Sequence, residues 1–320
     1  MERRRLGRTG LEISVLGFGA GAVGGLMTRG RPDDQERALA HAVARGINYI
    51  DTAPLYGNGE SERNLGRALK AVKSDGIVLG TKVRLKMADR GDVAGFVARS
   101  MDESLTRLGR DHVDLFQLHN PLVAQDADDR LAVDIALNEV VPAMQRVVKA
   151  GKTRFIGLSG TGETAALLKA IESKAFDTMQ VVYNALNPSA GRPMPGGAPG
   201  QDYGRLLART KANDMGTIVI RALAGGALSG SAERHPLAMQ QVEPIGSAAS
   251  FAGDVARAKT LEPVARAAGA ASLAEFGMRF VISDPRVTTM LVGYSTIDQL
   301  EQALAAVAKG PLTAEVLKAL

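Results

Sequence analysis

Residues 47–62 read INYIDTAPLYGNGESE, an apolar, β-prone run that stops abruptly at Asp51 and is followed five residues later by Tyr56. Two further runs end in the same way: IVLGTKV at residues 77–83 carries Lys82, and VDLFQLHNP at residues 113–121 carries His119. In a (β/α)8 barrel the carboxyl ends of all strands lie on one face, where catalytic residues are placed. The pattern therefore predicts that these four residues meet at one mouth of a parallel barrel.

Extended apolar runs alternate with helical patterns along the chain. The helical patterns span residues 34–45, 61–72, 93–108, 135–150 and 164–174, and Gly46 and Gly151 follow two of them, where a left-handed residue readily ends a helix. Eight such alternations without a linker favour an α/β fold in which residues 1–320 form a single domain, a (β/α)8 TIM barrel. The predicted strands are residues 15–19, 48–51, 78–82, 113–118, 155–159, 179–183, 217–221 and 288–292.

Three stretches do not fit this repeat. RRRLGRTGLEISV at residues 3–15 predicts an N-terminal β-hairpin that turns at Thr9-Gly10 and closes the bottom of the barrel. Residues 187–201 are rich in proline and glycine, which predicts a long surface loop, and residues 224–253 show no clear periodicity. Long loops in compact domains are often functional lids, with disorder as the alternative.

The composition excludes several classes of protein. The 320 residues include 39 basic and 34 acidic residues but no cysteine, so disulfides and thiolate metal sites are excluded. The basic residues are scattered apart from Arg3-Arg4-Arg5, which we expect to form a solvated edge rather than a nucleic-acid arm. No apolar run is long enough to predict a membrane span, and no signal-peptide pattern follows Met1, so we expect a cytoplasmic protein.

The four residues at the strand ends suit acid–base chemistry. Burying Lys82 is costly without an anionic partner, and Asp51 is such a partner. A free phenol titrates near about 10, so Tyr56 donates a proton near neutral pH only when a cation stabilises its phenolate. His119 can hold a substrate oxygen or simply cap the barrel. Each residue alone has an ordinary structural explanation, but four titratable residues on successive segments indicate an active site.

Other motifs are weak. GAGAVG at residues 19–24 has the spacing G-x-G-x-x-G, but a dinucleotide fingerprint requires a helix to begin at once, and residues 25–32 do not resemble a packed helix. We therefore expect a flexible loop near a ligand. The chain has no H-E-x-x-H motif and no second histidine beside His119, so no metal site is predicted, and the absence of a G-x-S-x-G elbow argues against a serine hydrolase.

The run DTAPLYG at residues 51–57, followed by ESE and by LG at residues 65–66, resembles the signature of the aldo-keto reductase family. Lys82 in GTKV, His119 in LHNP, Gln180 before Tyr183-Asn184, and Gly293 in LVGYSTIDQL extend the resemblance from about residue 6 to residue 304. The resemblance implies a (β/α)8 barrel that holds an extended nicotinamide dinucleotide across its C-terminal face without a Rossmann domain.

The resemblance also implies roles. Tyr56 would be the general acid for carbonyl reduction, Lys82 would make its hydroxyl more acidic, Asp51 would pair with Lys82, and His119 would orient the substrate carbonyl. The implied activity is NAD(P)H-dependent reduction of a small aldehyde or ketone, or oxidation of an alcohol or sugar. The implied cofactor contacts are Ser159 and Gln180 at the nicotinamide carboxamide, Arg221 in place of a stacking tyrosine, Leu223, Gly225 and Leu228 at the pyrophosphate, and Gly293, Ser295 and Gln299 at the adenosine phosphate.

Several positions depart from the family pattern. Gly160 stands where an asparagine commonly completes the carboxamide clamp, so that hydrogen bond is either missing or supplied by Asn184 or by water. Gln299 and Ser231 replace an arginine and a lysine, and cations are the best ligands for a 2′-phosphate. The absence of these cations favours NAD(H), or a substitute cation such as Arg234 or another basic residue of residues 224–253. Family habit nevertheless keeps NADP(H) ahead of NAD(H).

Two alternatives remain open at this stage. One is a regulatory subunit of the same fold that binds the cofactor but turns over slowly, although an intact tetrad argues against it. The other is a lyase that forms a Schiff base through Lys82. The substrate pocket is expected in the loops around Leu55, residues 120–124, residues 187–201 and Phe251, where Leu55 and Pro121-Leu122 indicate an apolar wall. No pattern specifies an oligomer.

Overall fold

The computed structural model of the chain describes residues 1–72, 75–194, 196–244 and 249–320. The strands within these ranges are β1 (Arg3–Arg5), β2 (Glu12–Ser14), β3 (Leu16–Gly19), β4 (Tyr49–Asp51), β5 (Val78–Val83), β6 (Val113–Leu118), β7 (Leu122–Val123), β8 (Leu131–Ala132), β9 (Thr153–Gly160), β10 (Thr178–Val182), β11 (Gly216–Ile220) and β12 (Thr289–Gly293). The helices are α1 (Leu26–Arg29), α2 (Pro32–Ala44), α3 (Glu60–Lys70), α4 (Val93–Leu108), α5 (Val133–Ile135), α6 (Val141–Lys149), α7 (Thr164–Glu172), α8 (Leu206–Ala212), α9 (Phe251–Lys259), α10 (Glu262–Ala267), α11 (Leu273–Ile282), α12 (Ile297–Ala308) and α13 (Ala314–Lys318).

Eight parallel strands close into a barrel in the order β3-β4-β5-β6-β9-β10-β11-β12, with β12 paired again to β3. The predicted (β/α)8 barrel is therefore confirmed, and each predicted barrel strand lies within two residues of its expected bounds. Strands β5, β6 and β10 are buried along their whole length, as expected for parallel strands that face the interior on one side and helices on the other. Because all eight strands are parallel, their carboxyl ends form one mouth.

The predicted N-terminal hairpin is present and closes the opposite end. β1 and β2 pair antiparallel, the turn is a short 3-10 helix at Gly7–Thr9, and Gly10 follows it in the left-handed conformation with φ 68°. Leu6 and Ile13 of the hairpin are fully buried in a small cluster with Tyr49 of β4, Leu115 of β6 and Ile218 of β11. Side chains from strands this far apart around the ring can only meet inside the barrel, so the hairpin caps its interior.

Some local expectations were wrong. Residues 25–32 contain the one-turn helix α1, which lies between Gly25 in the left-handed conformation and Gly30 in an extended one, and its Leu26 and Met27 are buried in the core. Residues 135–150 are interrupted by a π-helical turn at Ala136–Val140. Residues 187–191 at the start of the predicted surface loop are buried, because the Asn184 side chain accepts the backbone N–H groups of residues 186 and 187 and folds the segment inward.

The two predicted loops also include residues outside the described ranges. Position 195 of the stretch 187–201 and positions 245–248 of the stretch 224–253 are not described. Within the described part, the second stretch begins with a 3-10 helix at Ala224–Ser229 and ends as α9 starts at Phe251. The absence of clear periodicity there agrees with this short, kinked element.

We expect Ile13→Ala to lower the free energy of unfolding by about 2–4 kcal/mol, because it removes a fully buried side chain from the cap and leaves a cavity. Glu12→Ala on the exposed face of the same strand is the matched control and should change the free energy by less than about 0.5 kcal/mol. Urea unfolding measures both. An Ile13→Ala variant as stable as the control would contradict a packed cap.

Candidate active site

The four residues predicted from the strand ends meet at the barrel mouth. Asp51 is the last residue of β4, Lys82 lies near the end of β5, and His119 directly follows β6. These three strands are adjacent in the barrel. Tyr56 lies in the turn after β4, and its ring meets the His119 ring edge-on, with 5.7 Å between ring centroids and an interplanar angle of 87°.

Lys82 is the centre of the group. Its side chain is fully buried and forms an ion pair with Asp51, which is itself buried. Nζ also donates to the Thr52 carbonyl oxygen at 2.9 Å and to the Tyr56 hydroxyl oxygen at 3.2 Å. The three N–H donors of the ammonium therefore have three acceptors. A Schiff-base lyase requires a neutral, accessible amine, so this geometry argues against that alternative.

Asp51 is held by more than Lys82. Its Oδ1 accepts hydrogen bonds from the Tyr49 hydroxyl at 3.3 Å and from the side-chain amides of Gln117 and Gln180, each at 2.9 Å. Tyr49 and Gln117 were missed at the sequence level. The signal was present, because each lies two residues before a predicted site residue and therefore points to the same inner face of its strand.

The charges in this network reinforce one another. Burial lowers the pKa of the Lys82 ammonium, but the Asp51 carboxylate and the Tyr56 hydroxyl raise it by more, so the net shift is upward. Burial, together with the charge of Asp51, raises the pKa of Tyr49 well above its usual range, and Tyr49 therefore stays a neutral hydrogen-bond donor. Lys82 is a cation and Tyr56 receives one of its hydrogen bonds, which is the arrangement an acid–base tyrosine needs.

His119 is neutral in this setting. Burial lowers its pKa well below the usual range, and the positive charges of Lys82, Arg84 and Arg221 add to the effect. Its Nδ1 is buried and has no hydrogen-bond partner among the described residues. A neutral imidazole beside the Tyr56 ring can donate one hydrogen bond to a bound oxygen atom without adding charge.

The predicted carboxamide contacts lie on two adjacent strands. Ser159 in β9 donates to the Gln180 side-chain oxygen in β10 at 3.3 Å, and both residues are buried. Asn184, considered as a substitute for the asparagine absent at position 160, is itself hydrogen-bonded: its amide donates to the Arg221 carbonyl at 3.1 Å and its oxygen accepts backbone N–H groups. A contact from Asn184 to the carboxamide stays a prediction.

The predicted pyrophosphate loop follows β11 and has an unusual backbone. Arg221, Ala224, Gly225 and Gly226 all have positive φ angles, so the chain doubles back sharply at the mouth. The Gly225 carbonyl accepts a hydrogen bond from Arg234 at 2.8 Å. Leu223 is partly buried, whereas the Leu228 side chain is fully buried and packs towards α11.

The predicted adenosine end lies where β12 leads into α12. The Ser295 hydroxyl donates to the Gly24 carbonyl at 2.6 Å, and the Ser295 N–H donates to the Gln299 side-chain oxygen at 2.7 Å. Gly293 is exposed at the strand end. A Cβ at Gly24 would lie 2.4 Å from the Tyr294 nitrogen, so the third glycine of GAGAVG serves close backbone packing rather than a dinucleotide fingerprint.

These residues fit an extended dinucleotide. The tetrad occupies β4, β5 and β6, whereas the predicted cofactor contacts occupy β9 to β12, on the other side of the same mouth. The buried hydroxyl of Ser159 and the amide of Gln180 suit the carboxamide of a nicotinamide, and the loop that contains Gly225 suits a pyrophosphate. Among the described residues no cluster of histidine and carboxylate side chains could hold a metal ion.

Comparison with known proteins decides the family. Residues 15–320 match the Aldo/keto reductase family. The chain belongs to the aldo/keto reductase family. As a member it is an NAD(P)H-dependent oxidoreductase, as the resemblance implied.

Relatives of this aldo-keto reductase agree. It is 30% identical over 312 residues to L-galactose dehydrogenase of Arabidopsis thaliana, covering 96% of this chain and 88% of that protein. It is 32% identical over 213 residues to D-threo-aldose 1-dehydrogenase of a Pseudomonas species, covering 58% and 62% of the two chains. The holo structure of aldo-keto reductase AKR11C1 from Bacillus halodurans shares the fold, with a TM-score of 0.74, 24% identity, and 99% and 94% of the chains covered.

No helix in the described part of the reductase is long and apolar enough to cross a membrane.

The depressed pKa of His119 predicts a pH effect on stability. Folded His119 resists protonation, whereas an unfolded histidine accepts a proton near about pH 6.5, so the unfolded state binds more protons below that pH and stability falls as the pH falls through it. We expect the free energy of unfolding to fall between about pH 7.5 and about pH 5.5, and to fall by about 1 kcal/mol more in wild type than in His119→Asn. Urea unfolding at the two pH values measures this difference. The exposed His112→Asn is the control. Equal losses in wild type and His119→Asn would contradict a buried neutral imidazole.

Proposed function

We propose that the protein transfers hydride between a nicotinamide dinucleotide and a small carbonyl or alcohol, with Tyr56 as the general acid for reduction and the general base for oxidation. The observation that carries this proposal is the single Lys82 ammonium bonded at once to buried Asp51 and to the Tyr56 hydroxyl. A cation at that position stabilises the phenolate that remains after proton donation.

The supporting residues keep the proton donor in place. Asp51 neutralises Lys82, and the donors on Tyr49, Gln117 and Gln180 fix the carboxylate. We propose that neutral His119 donates to the substrate oxygen, because its Nδ1 has no protein partner and its ring touches that of Tyr56. Two donors aimed at one oxygen stabilise the charge that develops there during reduction.

The bound dinucleotide supplies or accepts the hydride. We propose that Ser159 and Gln180 hold its carboxamide, Arg221 borders the ring, the loop of Leu223, Gly225 and Leu228 covers the pyrophosphate, and Gly293, Ser295 and Gln299 border the adenosine phosphate. The support is positional: all these residues lie at the carboxyl ends of β9 to β12 or in the segments that directly follow. Within the tetrad, Asp51 and Lys82 are buried, whereas Tyr56 is partly exposed at the mouth.

The proposed substrate class is a small polyhydroxy compound, either an aldose that is oxidised or an aldehyde that is reduced. Two relatives carry the names of sugar dehydrogenases, and other relatives carry the name L-glyceraldehyde 3-phosphate reductase. A groove of about 410 Å³ includes His119, Leu55, Arg84 and Lys86 in its lining. Its size and polar lining suit a hydroxylated chain of a few carbons.

Tyr56→Phe removes only the hydroxyl and should lower kcat by about 10²–10⁴-fold, because the proton donor is lost. The dissociation constant for the dinucleotide should stay within about threefold of wild type, because the proposed binding residues are untouched. NAD(P)H oxidation with glyceraldehyde and NAD(P)⁺ reduction with aldoses measure turnover, and calorimetry measures binding.

Tyr294→Phe is the matched control, because it also removes a phenolic hydroxyl, one that has no hydrogen-bond partner among the described residues. It should retain turnover. Full activity in Tyr56→Phe would overturn the assignment of the acid, whereas a loss of dinucleotide binding in that variant would show that the hydroxyl acts in binding.

For the dinucleotide we propose NADP(H) ahead of NAD(H), with Arg234 as the cation for the additional phosphate. Arg234 donates to Gly225 and lies 5.0 Å from the centre of the Phe251 ring, so it borders the proposed pyrophosphate loop. Arg234→Gln should weaken NADPH about tenfold and NADH by less than about threefold, since a charge-assisted bond to phosphate is lost. Exposed Arg266→Gln is the control. Tighter binding of NADH than of NADPH by wild type would contradict the preference.

A further inference from the structure

Arg221 has no place in the proton-transfer network, yet the fold holds it at the mouth. It is the first residue after β11, and its φ of 59° is uncommon for a residue other than glycine. Its carbonyl accepts the Asn184 amide at 3.1 Å and the Ala224 N–H at 2.8 Å, so the left-handed turn is fixed from both sides. Strained backbone of this kind is characteristic of functional positions.

The guanidinium of Arg221 forms neither a hydrogen bond nor an ion pair with any part of the chain that the structure describes. Arg84, which directly follows the opposite strand β5, is paired with Asp129. Burial lowers the pKa of Arg221, and the smaller electrostatic effects of Tyr56, Glu243 and Tyr203 raise it, so the net shift of the pKa is downward. Arg221 is partly buried, and no carboxylate in the described part of the chain lies within ion-pair distance of its guanidinium, so its positive charge can act on a molecule bound at the mouth.

The nicotinamide ring must enter this field if the proposed function is correct. Hydride transfer requires the donor and acceptor carbons to approach to about 3–3.5 Å, and the substrate oxygen must at the same time lie at Tyr56. Arg221 acts electrostatically on both Tyr56 and His119. A ring placed for reaction beside these two side chains is therefore within reach of the same positive charge.

We propose that Arg221 makes the protein distinguish the two oxidation states of its cofactor. The oxidised ring carries a positive charge that Arg221 repels, and the reduced ring is neutral, so the reduced form binds more tightly. The rest of the dinucleotide is identical in the two forms, and the ratio of their dissociation constants isolates the charge of the ring. Tighter binding of the reduced form favours oxidation on the protein, in which the alcohol carbon would give up hydride to the ring and its hydroxyl proton would pass to the Tyr56 phenolate, which becomes the neutral hydroxyl.

Calorimetric titration of the apo protein with NADPH, NADP⁺, NADH and NAD⁺ tests this inference, and it suits a chain that has no tryptophan for a fluorescence signal. Arg221→Gln should reduce the ratio of the oxidised-form to the reduced-form dissociation constant by about tenfold, the effect of one partly screened charge at a few ångströms. Most of the change should come from tighter binding of the oxidised form. Arg221→Lys keeps the charge and should keep most of the ratio, and Arg266→Gln should leave it unchanged.

Salt provides a second measurement that needs no variant. Added salt screens the guanidinium, so the wild-type ratio should shrink as salt rises. An unchanged ratio in Arg221→Gln, or equal weakening of both oxidation states, would overturn the inference while the proposed function stands. Failure of wild type to bind any of the four dinucleotides would contradict the proposed function and this inference together.

Discussion

The buried ion pair between Lys82 and Asp51 is the interaction on which the site depends. Two charges removed from water are costly unless their remaining donors and acceptors are satisfied. Here the barrel meets that condition, because Lys82 also reaches Thr52 and Tyr56, while Asp51 accepts three further donors from β4, β6 and β10. The pair therefore links four strands of the barrel to the one hydroxyl that we propose moves a proton. Removing either partner would leave an uncompensated charge in the interior. The same ion pair therefore contributes both to the proposed acid–base chemistry and to local stability.

The barrel explains why such a pair can exist in a chain of ordinary composition. The eight barrel strands are parallel, and the period-two alternation along each strand directs the side chains of residues 49 and 51, or 115 and 117, to the barrel interior. The apolar inward-facing side chains pack with Leu6 and Ile13 of the hairpin at the closed end of the barrel. The polar inward-facing side chains lie at the mouth. The division of the mouth into a tetrad on β4 to β6 and polar groups on β9 to β12 leaves room for a substrate and an extended cofactor side by side.

Much of this could be predicted from sequence, for physical reasons. Strand-terminal polar residues such as Asp51 and Lys82 interrupt apolar runs, and that contrast is visible without coordinates. Tyr49 and Gln117 were missed although each lies two residues before a predicted site residue, because a tyrosine or glutamine in a β-prone run lacks the contrast that marks Asp51 and Lys82. The buried start of the 187–201 loop was missed because the Asn184 side chain decides it, and the one-turn helix α1 was missed because it is too short to show a helical period. The single domain over residues 1–320, the cytoplasmic location, the absence of a nucleic-acid partner and the preference for NADP(H) stay predictions.

The most direct test of the central claim is a double-mutant cycle between Lys82 and Tyr56, measured as kcat/KM with the fold of each variant checked by thermal unfolding. If the ammonium acts through the tyrosine hydroxyl, Lys82→Met should strongly lower kcat/KM when Tyr56 is present. In the Tyr56→Phe background the same substitution should lower kcat/KM by less than about threefold, because the effects of residues that act as a unit are not additive. Losses that multiply, so that the double variant falls by the product of the two single effects, would show that the two residues act independently and would contradict the account.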